Sequence, residues 1–274
     1  MSQSALSAAL ARLRTLLGDE LLVRTGRGMR PTARAADLAG PLASILGQVR
    51  DDILQGGAYD PKRTQRLFSI CLSDVGSYVL WPAIVRAVRA QAPQIELRLL
   101  NLAQPAIEQS LERAEADLAI GAFPALRSSL YQRRLYERTY VCLVRSQHPF
   151  AGSSLTLEQF ASTPQVVVHT ASGIQGNIDE SLASRGLTRS HTVSMPSYLL
   201  LPPLLESDDC LAVVPEQLAD VLVRHWNLVT LKLPMPLPTS TIRLYWHRRF
   251  HEDAGNIWLR QLIVAEFGSK IGSL

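Results

Sequence analysis

The sequence predicts an α/β protein in which a small helical unit precedes two similar lobes. Apolar residues recur at helical spacing from Ser2 to about Leu17, and the period changes to alternation after residue 65. From there, strands and helices follow one another in two series, which is typical of parallel sheets. A chain of 274 residues is long enough to bury two such sheets. We therefore expect two lobes with a cleft between them.

The first 55 residues predict a helix, a β-wing and a second helix. Gly18 and Asp19 end the first helix, and "ELLVRTGRGMRPT" predicts a strand, a glycine-rich turn and a return strand. A helix from Thr32 to about Leu54 follows, with Pro41 as a weak point inside it. The stretch "QGGAYDPKRTQR" predicts a linker. These boundaries divide the chain into 1–31, 32–55, 56–65 and 66–274.

The last of these segments contains both lobes. "RLFSICLSD", "QIELRLLN" and "DLAIGAF" are strands of the first series, with helices between them. Two strands follow in quick succession in "LYQRRLYERTYVCLVRS", and the second series begins at "QVVVHT". "TIRLYWHRR" and "NIWLRQLIVAEF" predict a closing strand and helix. We expect lobe I to comprise about 66–124 and 240–274, and lobe II about 125–239.

Positive charge is concentrated at the N-terminus. The whole chain has 28 Lys and Arg against 24 Asp and Glu, a net charge of +4, which excludes a polycation built to coat nucleic acid. Residues 1–36 alone contain six arginines and two acids, and so carry the same net charge. The first unit therefore offers the basic surface, and the rest of the chain is close to neutral.

Other composition features exclude several classes of protein. Cys71, Cys142 and Cys210 lie far apart in apolar runs, which predicts buried thiols in a reducing compartment. Neither an 18-residue apolar run nor a secretory leader is present, so we expect a cytoplasmic protein without membrane contact. The chain lacks the nucleophile elbow, the P-loop and the H-E-x-x-H motif. We expect no enzyme, no cofactor and no metal site.

The N-terminal helix and wing have a composition that suits DNA recognition. Small polar residues occupy the opening turn of the helix, and arginines follow on the wing. Gln can pair with an adenine edge, Ser hydroxyls can contact bases or phosphates, and wing arginines can neutralise phosphates. The alternative is an amphipathic surface helix followed by a charged loop, and composition leaves both interpretations open.

Three strand-to-helix junctions are candidates for a ligand site. "LSDVGSYVLW", "VHTASGIQGN" and "SMPSYLL" are rich in Ser, Thr and Gly. In α/β lobes, ligands bind at the carboxyl ends of the strands, where helix N-termini present free N–H groups. Such a site favours a small carboxylate or another anion. The alternative is that these residues only cap helices, as Asp74 would cap the next one.

The sequence also resembles a known family. "SQSALSAALARLRTLLGDELLVRTGRGMRPT" closely resembles the recognition helix and wing of the LysR-type bacterial transcription regulators. "DLAIG" and "RRLYERTYVCLVRSQHP" resemble the family's passage between lobes, and "YWHRRFHEDAGNIWLRQLI" resembles its salicylate- and nitroaromatic-responsive branch. The resemblance implies a partial winged helix-turn-helix, a linker helix that pairs subunits, and a two-lobed effector domain like the periplasmic binding proteins. It implies a homodimer or homotetramer on promoter DNA.

The resemblance also implies which residues bind each partner. DNA contacts would come from Ser2, Gln3, Ser4, Ser7, Arg12, Arg24 and Arg27. Effector contacts would come from Ser73, Asp74, Gly76, Ser77, Tyr78, Thr170, Ser172, Gly173, Ile174, Ser197 and Tyr198, with Arg248 near the mouth of the cleft. Branch members carry histidine at the positions of Ser172 and Ser197, which argues against salicylate itself. Family members have further helices before this recognition helix, so we expect an upstream start or a truncated regulator.

Two functional hypotheses follow. The first is a DNA-binding transcription regulator controlled by an aromatic or other organic acid, which binds between the lobes and changes their angle. The second is an effector-binding and dimerisation protein without effective DNA binding. A two-lobed enzyme would need a nucleophile, a metal site or a titratable pair in the cleft, and the sequence supplies none.

Overall fold

A computed structural model describes residues 3–26, 28–48, 59–123, 130–169, 173–190 and 193–268. The chain divides into two compact units, Met1–Tyr59 and Asp60–Leu274. Over the described ranges, no helix is both long enough and apolar enough to cross a membrane. The two units are described in turn.

The first unit has the predicted order of helix, wing and helix. Its elements are α1 (Gln3–Leu17), β1 (Leu22–Thr25), β2 (Gly28–Pro31) and α2 (Ala33–Gln48). α1 ends where Gly18 adopts a φ of +62°, which glycine tolerates, and the Gly18 N–H donates to the Arg14 carbonyl oxygen. α2 continues through Pro41. The remainder of the predicted linker helix, from residue 49, lies outside the described residues.

A small hydrogen-bond network joins α1, the wing and α2. The Asp19 carboxylate accepts from the Leu21 N–H at 2.7 Å and from the Thr32 hydroxyl at 2.7 Å. The Thr32 oxygen in turn accepts from the Ala35 N–H, so Thr32 caps the start of α2. The bond from Thr32, followed by that from Leu21, lowers the pKa of Asp19. The turns at both ends of the wing therefore share one carboxylate.

The second unit contains two five-stranded sheets, of which the first has the order β4-β3-β5-β12-β6. Its strands are β3 (Leu67–Leu72), β4 (Glu96–Leu100), β5 (Leu118–Gly121), β6 (Leu130–Arg138) and β12 (Ser240–His247). β3 is parallel to β4 and β5, whereas β12 is antiparallel to β5 and β6. The carboxyl ends of β3, β5 and β6 therefore lie at one edge, and the carboxyl end of β12 lies at the opposite edge. The helices of this lobe are α3 (Asp74–Val79), α4 (Trp81–Gln91), α5 (Gln104–Glu112) and α10 (Ala254–Phe267).

The second sheet has the order β11-β7-β10-β8-β9. Its strands are β7 (Tyr140–Arg145), β8 (Gln165–Val168), β9 (Val193–Met195), β10 (Leu211–Pro215) and β11 (Leu228–Leu231). β8, β9 and β10 are parallel, and β7 is antiparallel to β10 and β11. The helices are α6 (Leu157–Ser162), α7 (Ile174–Ala183), α8 (Leu201–Ser207) and α9 (Glu216–His225).

The structure corrects some of the predicted boundaries. β6 pairs with β12 along its whole length, from Leu130 to Arg138, so this strand belongs to the first lobe and the predicted lobe boundary near residue 125 is wrong. The chain passes between the sheets at Thr139. The helical segment predicted between the first two strands of this series is two helices, α3 and α4, that meet at Leu80, because Pro82 lacks the N–H that would continue the first one. α6 and β11 were not predicted.

Each sheet is covered by helices, and the second lobe's core reaches into the first lobe. In the first lobe, Phe68 and Ile70 pack with α4 and α10. Val75 of α3 instead joins a cluster with Tyr198 and Leu218 of the second lobe. α3 therefore contacts both lobes.

The three cysteines are buried and reduced, as predicted. Burial raises the pKa of the Cys71 thiol to about 11 and that of the Cys142 thiol to about 12. These thiols therefore remain protonated at neutral pH.

Candidate functional site

The first junction, at the carboxyl end of β3, combines helix capping with a contact between lobes. The Ser73 oxygen accepts from the Gly76 N–H at 3.2 Å and caps α3, and the Ser77 hydroxyl donates to the Ser73 carbonyl oxygen at 2.8 Å. Gly76 is buried, and a Cβ added there would lie 3.3 Å from Leu72. The capping interpretation therefore applies to Ser73, whereas the Ser77 hydroxyl bonds back to the preceding turn of its own helix.

Asp74 has a different role, because it bridges the lobes. One oxygen of its carboxylate accepts from the Val75 N–H at 2.8 Å, and the other accepts from the Tyr198 N–H at 3.2 Å. Ser197 precedes Tyr198 and caps a 3₁₀ turn by accepting from the Leu199 N–H. Two of the three predicted junctions therefore meet, and a carboxylate lies at their contact.

The third junction is described only in part. Thr170 and Ser172 lie outside the described residues. Gly173 adopts a φ of +68° before α7, a conformation that favours glycine, and the buried Ile174 side chain packs into the second lobe's core. Gln175 was not among the predicted site residues; its amide nitrogen donates to the Val168 carbonyl oxygen, and its amide oxygen accepts from Arg189. Gln175 therefore ties the start of α7 to the end of β8.

Arg248 does not belong to this site. It follows the carboxyl end of β12, which lies at the amino edge of the first sheet because β12 runs against β5. The neighbouring Arg249 donates to the Glu112 carbonyl oxygen at the end of α5. The expectation that Arg248 lies near the mouth of the cleft was wrong, because the direction of β12 carries it to the opposite edge.

The crossover between lobes passes through this site. Arg138 ends β6 at the carboxyl edge of the first sheet, and Tyr140 begins β7 opposite Pro215, at the carboxyl edge of the second. Between them, the Thr139 carbonyl oxygen accepts from the Glu216 N–H at 3.0 Å, and the Thr139 hydroxyl bonds to the Glu216 carboxylate. Arg138 was not among the predicted site residues, although "YERTY" places a basic residue at the end of a strand.

A groove of about 410 Å³ lies between α7 and β9 in the second lobe. Its lining includes the side chain of Arg189, which forms an ion pair of 2.7 Å with Asp179 and also donates to Gln175. Because this guanidinium already has a counter-ion, the groove is a weaker candidate for binding an acid than the region between the lobes.

The predicted DNA-contacting residues that the structure describes are exposed. α1 has no buried residue, and even its apolar residues Leu6 and Leu13 are exposed. The described members of the set, all exposed, are Gln3, Ser4, Ser7, Arg12 and Arg24. Ser2 and Arg27 lie outside the described residues.

Arg14 holds the wing against α1. Its Nε donates to the Glu20 carbonyl oxygen at 2.7 Å, and its Nη2 donates to the Leu22 carbonyl oxygen at 3.1 Å. The Glu20 carboxylate lies 3.4 Å from the Arg14 Nε. Arg14 therefore has a structural role, whereas Arg12 and Arg24 leave their charge exposed.

Comparison with known proteins identifies the family. Residues 61–268 match the LysR substrate binding domain, and residues 1–36 match the bacterial regulatory helix-turn-helix protein, lysR family. The chain belongs to the LysR family. The HTH-type transcriptional activator NahR of Pseudomonas putida is 36% identical to this LysR-family protein over 267 residues, which are 97% of this chain and 89% of NahR.

Solved structures support the same assignment. The probable transcriptional regulator PA0477 of Pseudomonas aeruginosa has 30% sequence identity and a TM-score of 0.65, and the match covers 96% of this chain and 88% of that one. Full-length CbnR in complex with its target DNA has a TM-score of 0.66 at 14% identity, covering 97% and 90% of the two chains. This second likeness concerns the fold alone.

These comparisons confirm the family, the fold class and the prediction of a regulator. The relatives are named as transcriptional regulators, not as enzymes. This LysR-family protein is therefore a DNA-binding transcription regulator with an effector-binding domain. The comparisons do not favour the alternative of an effector-binding protein without DNA binding.

Proposed function

We propose that this LysR-family regulator binds promoter DNA through α1 and the wing, and that a small aromatic or other organic acid bound between its lobes controls it. The observation that carries the effector part is the meeting of two strand-to-helix junctions at Asp74 and Tyr198. Junctions at the carboxyl ends of parallel strands are where α/β lobes bind ligands.

The exposed residues of α1 support the DNA part. Gln3, Ser4 and Ser7 are unburied on one side of the helix, where they can reach base edges or phosphates. Arg12 and Arg24 are exposed and add positive charge beside them. Ser2 and Arg27 belong to the same proposed surface.

The bond between Asp74 and Tyr198 supports control through the lobe angle. A ligand that inserts between α3 and the Ser197–Tyr198 turn competes with this contact and with the packing of Val75. A ligand shifts the population of lobe arrangements only by its difference in affinity for them. The proposed effector residues are Ser73, Asp74, Gly76, Ser77, Tyr78, Thr170, Ser172, Gly173, Ile174, Ser197 and Tyr198.

Exposed apolar residues on α2 support a homodimer or homotetramer. Leu42, Ile45 and Leu46 are each at least half exposed, and their spacing places them near one side of the helix. Pairing of this helix between subunits would bury them and place two recognition helices on one DNA molecule.

A DNA-binding assay tests the proposal. The full chain is titrated onto a DNA fragment from upstream of its own gene, at several salt concentrations and with and without a panel of aromatic acids. We expect an affinity that falls steeply with salt and changes when an acid of the panel is added. Effector binding without any salt-dependent DNA affinity would instead support the alternative of a protein without effective DNA binding.

A further inference from the structure

Arg138 is a buried cation at the crossover between the lobes. Only 8% of its surface is exposed, and none of the ion pairs formed among the described residues includes it. A buried guanidinium is costly unless it is paired or hydrogen-bonded. The surroundings of Arg138 therefore favour an additional anion.

Three described carboxylates, which follow or end strands at the carboxyl edges of the two sheets, have other partners. Glu137 accepts from the Thr241 hydroxyl at 2.8 Å and lies 3.3 Å from the Arg134 Nε. Glu216 bonds to Thr139. Asp74 follows β3, three strands away from β6, a distance of about 14 Å across the sheet. No ion pair forms over such a distance, so these three acids leave the charge of Arg138 available.

A second hydrogen-bond donor lies beside Arg138. The Tyr136 hydroxyl lies close to this guanidinium, two residues earlier on the same face of β6. Burial raises the pKa of Tyr136, and Arg138 only partly offsets this effect. The tyrosine therefore keeps its proton at neutral pH and can donate it. A guanidinium next to a phenol can hydrogen-bond both oxygens of one carboxylate.

The position of Arg138 connects these donors to the cleft. It lies where the carboxyl edges of both sheets come together, with Ser240 opposite it in the strand register. The Ser240 oxygen lies 3.4 Å from the hydroxyl of Tyr140, the first residue of the second sheet. Both lobes therefore contribute polar groups next to Arg138.

We propose that Arg138 binds the carboxylate of the effector and makes the cleft selective for organic acids over neutral compounds of the same shape. This inference rests on the proposed function, since it assumes that the effector lies between the lobes. It adds a residue that neither the strand-to-helix junctions nor the family resemblance indicated.

Isothermal titration calorimetry on the full chain tests the inference. The probes are benzoate, salicylate and 2-nitrobenzoate, each compared with its neutral amide. We expect Arg138→Met to weaken acid binding about 10- to 100-fold, as expected for losing a hydrogen bond to a charged group, and to leave amide binding within about twofold. Arg138→Lys should recover part of the loss. Arg133→Met, on the exposed part of the same strand, is the matched control and should bind like the wild type.

The possible results separate this inference from the proposed function. If the wild type binds an acid and Arg138→Met binds it equally well, the role of Arg138 is wrong and the effector site stands. If only the amides bind, both the role of Arg138 and the organic-acid class are wrong. If neither series binds at millimolar concentration, both proposals about the cleft fail for aromatic acids. Equal loss of acid and amide binding would indicate a structural role for Arg138 and would also contradict the inference.

Discussion

The carboxylate of Asp74 in the first lobe accepts a hydrogen bond from the backbone N–H of Tyr198 in the second lobe, over 3.2 Å. The two residues are 124 positions apart in the sequence. Their contact joins two junctions at which ligand-binding residues were predicted. It makes the arrangement of the lobes depend on a side chain inside the proposed effector site.

We expect Asp74→Ala to lower the free energy of unfolding by about 1 kcal/mol, the usual net contribution of one hydrogen bond, and to change the response to effector. Urea denaturation and the DNA-binding assay measure the two effects. Glu158→Ala is the matched control, because Glu158 also lies in the first turn of a six-residue helix. A variant at Asp74 with unchanged stability and unchanged effector response would contradict a role for this bond.

Replacing Arg14 should lower the stability of the first unit, whereas replacing Arg12 should weaken DNA binding. Arg14→Ala removes two hydrogen bonds to wing carbonyls and should destabilise the first unit by about 1 kcal/mol. Arg12→Ala should leave stability unchanged, weaken DNA binding and reduce the salt slope by about one. Thermal unfolding and fluorescence anisotropy at several salt concentrations measure these quantities. The assignment is wrong if Arg12→Ala destabilises the unit as much as Arg14→Ala.

A buried network at the amino edge of the first sheet should be important for stability. Asp117 accepts from the Ser69 N–H at 2.8 Å and from Arg66 at 3.1 Å, and Arg66 also bonds to Asp253 at the start of α10. Asp117→Ala leaves Arg66 with one partner and Ser69 with an unpaired N–H. We expect the free energy of unfolding, measured by urea denaturation, to fall by about 2 kcal/mol. This is less than the usual cost of breaking a buried ion pair, because Arg66 is partly exposed. Asp117→Asn, which keeps an acceptor for Ser69, should lose less, and an equal loss in both variants would contradict this account.

The buried thiols should be inert in the folded protein. Burial raises the pKa of Cys71 and Cys142 from 9.0 to about 11 and about 12, so at pH 8 the native thiols carry no appreciable thiolate. Iodoacetamide should label them only after denaturation, as followed by mass spectrometry. The pKa values of both thiols are higher in the folded protein than in the unfolded chain. The stability that burial of the protonated thiols contributes is therefore complete below pH 9 and falls as the pH rises towards 12. Rapid labelling of Cys142 without denaturant would show that it is not buried.

Local patterns predicted most of the secondary structure. The apolar spacing and the Gly18 stop define α1, and the glycine-rich turn defines the wing, because each depends on neighbours a few residues away. α6 and β11 were missed because each is short, six and four residues, and carries too few repeats of a period to be recognised.

The candidate site was predicted less completely. Ser73, Asp74, Ser197 and Tyr198 were recognised because strand-to-helix junctions have a characteristic composition, and the structure brings them together. Arg138 was missed because its significance depends on burial and on its having no ion pair with another described residue, which no local pattern reveals. Arg248 was misplaced because the direction of β12 depends on its pairing partners.

The sequence by itself determined the family, the helix-wing-helix unit and the succession of strands and helices, since periodicity, caps and glycine positions act over one or two turns of chain. Only the tertiary structure decided that β6 belongs to the first lobe, that Asp74 reaches Tyr198 and that Arg138 is buried at the crossover. The physical reason is the same in each case. Strand pairing, burial and contacts between lobes join residues far apart in the chain, so their outcome depends on how the whole domain packs.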